Sequence, residues 1–339
     1  MGSAFIEWLR ERRIKILGLG IVLALFASPV IVLLWMTAVP GHTYAGPLPP
    51  LTPAQSQLAE RLRGHVMAIA STPHNLGHPQ ALENAALYLQ KQLAGMGYTV
   101  TRQPFDAGHA RNLEVTIEPA SPAAPTLVIG AHYDSAFTAP GANDNGSGTA
   151  AVVELARMLA DLRGKAAVRI RLVLFANEEP PFFQTDRMGS LVYARRLVQS
   201  GEKVAAMFSL ETIGYYRDAP GSQRYPFPLS ILYPDTGNFV AFVGTVSSRA
   251  LVRRTVKAFR ETARFPSVGG SAPGFIQGID WSDHWAFEQA GVPALMITDT
   301  APFRYPWYHS TKDTPDKIDY QRLARVVAGL ERVIRGWRE

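Results

Sequence analysis

Short apolar runs alternate with helically periodic stretches, and this alternation restricts the fold more than any other feature of the 339-residue chain. Runs at 126–131 (TLVIGA), 168–176 (VRIRLVLFA) and 204–210 are separated by stretches at 147–163 and 188–199 with helical character. Strand, helix and strand in that order close most simply as a sheet covered by helices. Upstream, Thr52-Pro53 has the form of an N-cap and first helical residue, opening a helix to about Ala70. A second helix is expected from Pro79 to Met96, with Gly97 as its stop, and β-like runs at 98–105 and 112–118. Further strands are expected at 229–233 and 292–298, and helices at 248–263 and 319–337. Hydrophobic residues make up 47% of the chain and charged residues 18%, which supplies a core and excludes global disorder. One α/β domain over residues 52–339 is expected.

The first fifty residues differ in kind. From Ile16 to Val39 there are 24 residues without a charge. A helix of that length spans roughly 36 Å, enough for a hydrocarbon layer of about 30 Å with some tilt, and Pro29 is tolerable in such a helix. Arg10, Arg12, Arg13 and Lys15 precede the segment, and the next Lys or Arg is Arg61. The positive-inside rule then makes residues 1–15 a cytoplasmic basic tail and puts everything after the anchor outside, periplasmic or extracellular. A cleaved signal peptide is the alternative, but its apolar core runs to only about 7–15 residues. Residues 40–51 read as an extended, proline-stiffened linker. The net charge of +6 traces mainly to the two ends, including Arg322, Arg325, Arg332, Arg335 and Arg338. No basic stripe interleaved with aromatics is visible, so a nucleic-acid partner is not expected.

Chemistry-bearing residues gather at the ends of the strand-like runs. The run 126–131 leads into His132-Tyr133-Asp134, 168–176 into Asn177-Glu178-Glu179, and 204–210 into Glu211. Asp144 lies in the glycine-rich loop 141–148, and His309 follows the run 292–298. In open α/β sheets, sites form beyond the carboxyl ends of the strands. His132 and Asp134 are two apart and project to the same side, so Asp134 is a candidate partner for a metal-bound imidazole; an isolated pair of this kind is also common in surface loops. Asp144 reads equally as a ligand or as a helix cap. Adjacent Glu178 and Glu179 after a buried strand are costly unless something positive compensates them, and one can hold metal while its neighbour accepts a proton. Jointly these residues supply the two imidazoles and three carboxylates that a pair of zinc ions needs. Cysteine is absent, which excludes thiolate metal sites, disulfides and a cysteine nucleophile. No GxSxG elbow, HExxH helix, Walker loop or GxGxxG fingerprint occurs.

In the stretches IGAHYDS (129–135), GANDNGSGTAAVVELAR (141–157), FANEEPP (175–181), SLETIG (209–214), SDHWAFEQAGVPALMITDT (282–300) and YHSTKDTPD (308–316), the chain resembles the zinc metallopeptidase family of co-catalytic aminopeptidases, glutamate carboxypeptidases and glutaminyl cyclases. The resemblance implies a mixed, mostly parallel central sheet between helix layers. It implies that His132 and Glu211 hold one zinc, Glu179 and His309 the other, and that Asp144 bridges them. It further implies Glu178 as general base, Tyr308 as donor to the oxyanion, and Asp134 as the group orienting His132. Many two-metal relatives carry Asp where this chain has Glu211, and the cyclases use a single zinc with much of the same ligand set. The expected activity is hydrolysis of N-terminal residues from peptides outside the cytoplasm, with Phe182, Phe183, Trp285 and Trp307 as candidate lining of a side-chain pocket. The rivals are glutaminyl cyclization and a metal-free, receptor-like ectodomain.

Overall fold

A computed structural model describes the backbone of residues 2–338, and their side chains except at 2–4, 11 and 19–23. The chain divides into a unit ending at Ala38 and a unit beginning at Val39. The first is a single helix, α1 (Gly2–Thr37), with Pro29 inside it. Ile16, Leu17, Leu25, Phe26, Val30 and Ile31 on this helix are exposed. Among the described residues no helix is long and apolar enough to cross a membrane. The expected anchor, 16–39, includes residues 19–23, whose side chains lie outside the description.

The second unit is built on eight strands: β1 (Thr101–Phe105), β2 (Ala110–Ile117), β3 (Thr126–His132), β4 (Arg169–Phe175), β5 (Val204–Glu211), β6 (Val240–Thr245), β7 (Ser267–Ala272) and β8 (Ala294–Thr298). Its helices are α2 (Pro53–Ile69), α3 (Pro79–Gly95), α4 (Gly148–Met158), α5 (Gly189–Gln199), α6 (Arg249–Thr262), α7 (His284–Gln289), α8 (Ala301–Arg304) and α9 (Tyr320–Arg335). Thr52 and Gln55 close a reciprocal cap on α2, as the Thr-Pro signal predicts. The strands form one sheet in the order β1-β2-β4-β3-β5-β8-β6-β7. Four of its seven pairings are parallel; β1–β2, β2–β4 and β6–β8 are antiparallel. This is the expected mixed, mostly parallel sheet.

Side chains alternate between faces along each strand. Leu127, Ile129, Leu172, Leu174, Phe208 and Leu210 pack into the larger core with α2, α3, α4, α6 and α9. Val128, Val173, Phe175 and Met207 face the opposite way, onto Tyr193, Ala194 and Leu197 of α5 and Phe287 of α7. Both faces are covered, which is why the central strands read as continuous apolar runs.

One expectation fails. Residues 229–233 form a short turn, Leu229–Ile231, with Ile231 exposed, instead of a strand. Pro226, Pro228 and Pro234 around it lack the N–H groups a ladder needs. The strands in this region are β6 and β7, and the Ser-Val-Gly-Gly-Ser-Ala sequence of β7 has no apolar alternation to announce it. Residues 40–51 form neither helix nor strand and lie against the body. Arg260 Nη1 donates to the carbonyls of Pro40 (2.9 Å) and Gly41 (2.8 Å), Ser267 N–H donates to Thr43 Oγ1 (2.8 Å), and Arg325 donates to the Pro49 carbonyl (2.6 Å).

Candidate metal centre

Strands β3, β4 and β5 are neighbours running in parallel, so their carboxyl ends open at one edge. His132 is the last residue of β3 and Glu211 the last of β5, while Glu178 and Glu179 follow β4. The backbone turns abruptly at this edge. Asn177, Thr212 and His309 all have positive φ, at 62°, 44° and 54°. Such conformations cost a non-glycine residue of order 1–3 kcal/mol each and persist only where the surroundings enforce them. Gly141 (φ 73°) opens the loop before α4, where a Cβ would lie 2.7 Å from that of Ser135 and 2.8 Å from the Asp144 carbonyl oxygen. Only glycine fits there.

The five expected ligands converge. His132 Nε2 lies 3.4 Å from Asp144 Oδ1 and 3.3 Å from Glu211 Oε2. His309 Nε2 lies 3.1 Å from Asp144 Oδ2 and 3.2 Å from Glu179 Oε2. Asp144 thus turns one oxygen to each imidazole. Glu178 Oε2 stands 3.8 Å from His132 Nε2. All are buried except His309, whose side chain is 24% exposed.

Burial pushes Glu178 well above the usual carboxyl range, Glu179 to about 7 and Glu211 to about 8. Burial would also raise Asp144, but His132 and His309 outweigh it and hold that carboxyl low. The same contacts raise His309 to about 10 against the effect of burial. His132 Nε2, Asp144 Oδ2 and Glu179 Oε1 are buried without a hydrogen-bond partner. Buried polar atoms left in this way call for a further occupant. The groups His132–Asp144–Glu211 and Asp144–Glu179–His309 each bring ligand atoms within 4.8 Å of one another, as does His132–Glu178–Glu179. A nitrogen and oxygen donor set of this composition fits zinc.

Asp134 lies against His132 and also reaches the residues after β4. His132 Nδ1 lies 3.1 Å from the main-chain carbonyl of Asp134 and 3.6 Å from its carboxylate. The carboxylate also accepts the main-chain N–H groups of Glu178 and Glu179, both at 3.2 Å. Tyr308 stacks on His309 with ring centroids 3.9 Å apart. Burial, and then the charges of Asp144, Glu179, Glu211 and Glu178, push its phenol well above 10. Phe183 and Trp285 pack against Met188, Leu191 and Ala286, and Trp307 packs with Tyr215 and Tyr305. Phe182 lies under the Arg187 guanidinium.

Several supporting residues were not singled out from sequence. Asp313 accepts the main-chain N–H of Asn143 (2.8 Å) and of Asp144 (3.1 Å), and the Tyr305 hydroxyl (2.6 Å). Asn145 donates to the Leu210 carbonyl (2.8 Å) and accepts the N–H of Gly148 and Thr212. Ser282 donates to Glu211 Oε2 at 2.9 Å. The available signal was the density of polar residues in the loops that carry the ligands.

The family model for peptidase family M28 matches residues 112–334, which contain every residue of this cluster. The chain belongs to peptidase family M28. It is a zinc metallopeptidase, as the family resemblance implies. The uncharacterized protein YfbL of Escherichia coli strain K12 is similar to this M28 chain at 39% identity over 331 residues, covering 93% of this chain and 97% of YfbL. Two solved structures share the fold. An aminopeptidase from Aneurinibacillus sp. strain AM-1 matches with a TM-score of 0.62 at 18% identity, over 83% of this chain and 94% of its own. A glutaminyl cyclase from Tannerella forsythia matches with a TM-score of 0.61 at 21% identity, over 83% and 99%.

Proposed function

We propose that this M28 peptidase is a membrane-anchored aminopeptidase with two zinc ions. The observation that carries the two-ion reading is Asp144, which faces His132 with one oxygen and His309 with the other. His132 and Glu211 would hold one ion with Asp144, and Glu179 and His309 the other. Bound zinc supplies Lewis acidity, which polarises a carbonyl and acidifies water. Glu178 would take the proton of the attacking water and return it to the leaving amine. Its burial supports this role, because a carboxyl raised towards neutrality is a better-matched base. Asp134 holds the Glu178–Glu179 backbone, so that one carboxylate serves as ligand while the next faces substrate. Tyr308 keeps its proton in the site and would donate to the developing oxyanion.

The fold is common to an aminopeptidase and a glutaminyl cyclase, so the reaction is separated by product. Zinc-loaded full-length chain is incubated with leucyl-anilide, N-acetyl-leucyl-anilide and an N-terminal Gln peptide. Release of anilide from the free-amine substrate alone supports the aminopeptidase reading. Loss of ammonia from the Gln peptide without anilide release overturns it. The anchor is supported by the charge-free run 16–39 and the arginines before it. Retention of the chain in membranes after carbonate washing is the expected result; release into the supernatant overturns the anchor.

A further inference from the structure

We propose that the outward face of α6 is a docking surface for anionic lipid, a reading that rests on the proposed anchor. Residues 249–264 carry Arg249, Arg253, Arg254, Lys257, Arg260 and Arg264 against the single acid Glu261. This is a local excess of five positive charges, 6 − 1. Leu251, Val252, Val256 and Phe259 point into the core, so Arg253, Arg254 and Lys257 lie on the face turned away from it. Arg254, Lys257 and Arg264 are exposed, Arg254 lying over the Trp337 ring.

The second observation is where the chain leaves the body. Val39 ends the charge-free run and packs beside β7, where a Cβ on Gly269 would meet it at 3.3 Å. Pro40 and Gly41 are hydrogen-bonded to Arg260 of α6 itself. Lys257 is about one helical turn, or roughly 5 Å, from Arg260, and Arg253 about two turns. The chain therefore joins the body beside the C-terminal part of α6. Next to this exit opens a cavity of about 430 Å³ lined by His42, Tyr44, Arg260 and Arg264. Residues 40–43 are pinned to α6 and β7, so no slack tether separates Val39 from the basic face.

The cysteine-free chain allows a clean label. Full-length Lys257→Cys and Thr101→Cys, the latter at the opposite edge of the sheet, are each coupled to a fluorescent donor. Each is reconstituted in nanodiscs of phosphatidylcholine or of phosphatidylglycerol-rich lipid, both with acceptor-labelled headgroups. The expected result is transfer at Lys257 at least about threefold above Thr101 in anionic discs, falling towards the phosphatidylcholine value at about 0.5 M salt, where screening shortens to about 4 Å. Arg253→Glu with Arg254→Glu abolishes that difference. Equal transfer at both labels, or no response to lipid charge and salt, overturns the docking surface while the anchor stands. A chain that does not migrate with either disc overturns the anchor and this inference with it. Shift of a labelled DNA duplex at physiological salt, with no lipid response, assigns the face to nucleic acid and also overturns it.

Discussion

Asp313 accepts the main-chain N–H of Asp144 at 3.1 Å from 169 positions further along the chain. The residue that faces both imidazoles is thus held from behind by a carboxylate that touches neither of them. Asp313 also takes the N–H of Asn143 and the Tyr305 hydroxyl. Asp313→Ala leaves these buried donors unpaired and frees the loop. Zinc affinity should fall by about 10–100-fold, the usual range for groups that orient ligands. Competition against a chromophoric chelator measures it, and unchanged affinity would show that the loop holds its shape alone.

Glu178 gives the sharpest test of chemistry. Glu178→Gln keeps size and burial but cannot accept a proton. Turnover should drop by at least about 100-fold, in line with general-base contributions, while zinc content stays at the wild-type level. Near-normal turnover with full zinc would place the base elsewhere.

The ligands were legible because burial and charge conflict in plain sight. Largely apolar strands lead into His132, Glu178 and Glu211, and buried strand ends tolerate such residues only where something uses them. Asp313 and Asn145 gave no such signal, because each acts on main-chain N–H groups brought near by the fold rather than by sequence. Asp134 shows the same limit. Its spacing from His132 suggested an imidazole partner but not that the parallel register of β3 and β4 also brings the Glu178 and Glu179 amides to its carboxylate. β7 was invisible because edge position and pairing, not apolar pattern, make it a strand.

Zinc binding should release protons, and more of them at lower pH. Without metal, burial holds Glu179 at about 7 and Glu211 at about 8. At pH 8.5 both carboxyls are largely ionised and His309, at about 10, holds its proton; at pH 6 both carboxyls also carry protons that a cation must displace. Apparent affinity should therefore fall by more than tenfold per pH unit below about 7. Calorimetry in buffers of different ionisation enthalpy counts the protons, and a count independent of pH would contradict these values.

Glu154 offers a test of the body independent of the metal centre. It sits fully buried on α4 and accepts hydrogen bonds from Arg61 (2.8 Å) and Arg157 (2.8 Å), with His65 Nε2 at 3.0 Å. Burial would raise its carboxyl, but the His65 and Arg61 contacts and the Arg157 charge outweigh it and hold it below the ordinary range. A folded-state pKa below the unfolded one means the stabilisation is complete above about pH 5 and fades as pH falls through the folded value. Breaking a buried pair costs about 3–5 kcal/mol, and here the Arg61 and Arg157 side chains are about one-third exposed and can turn to water. Glu154→Gln should therefore cost about 2–3 kcal/mol at pH 7, or roughly 3–5 °C in melting temperature. As pH falls through the lowered folded value the wild-type carboxyl loses its charge, so the two melting curves should draw together. A gap that stays constant as the pH is lowered from 7 through that transition would show that packing, rather than the ionised carboxylate, joins α2 to α4.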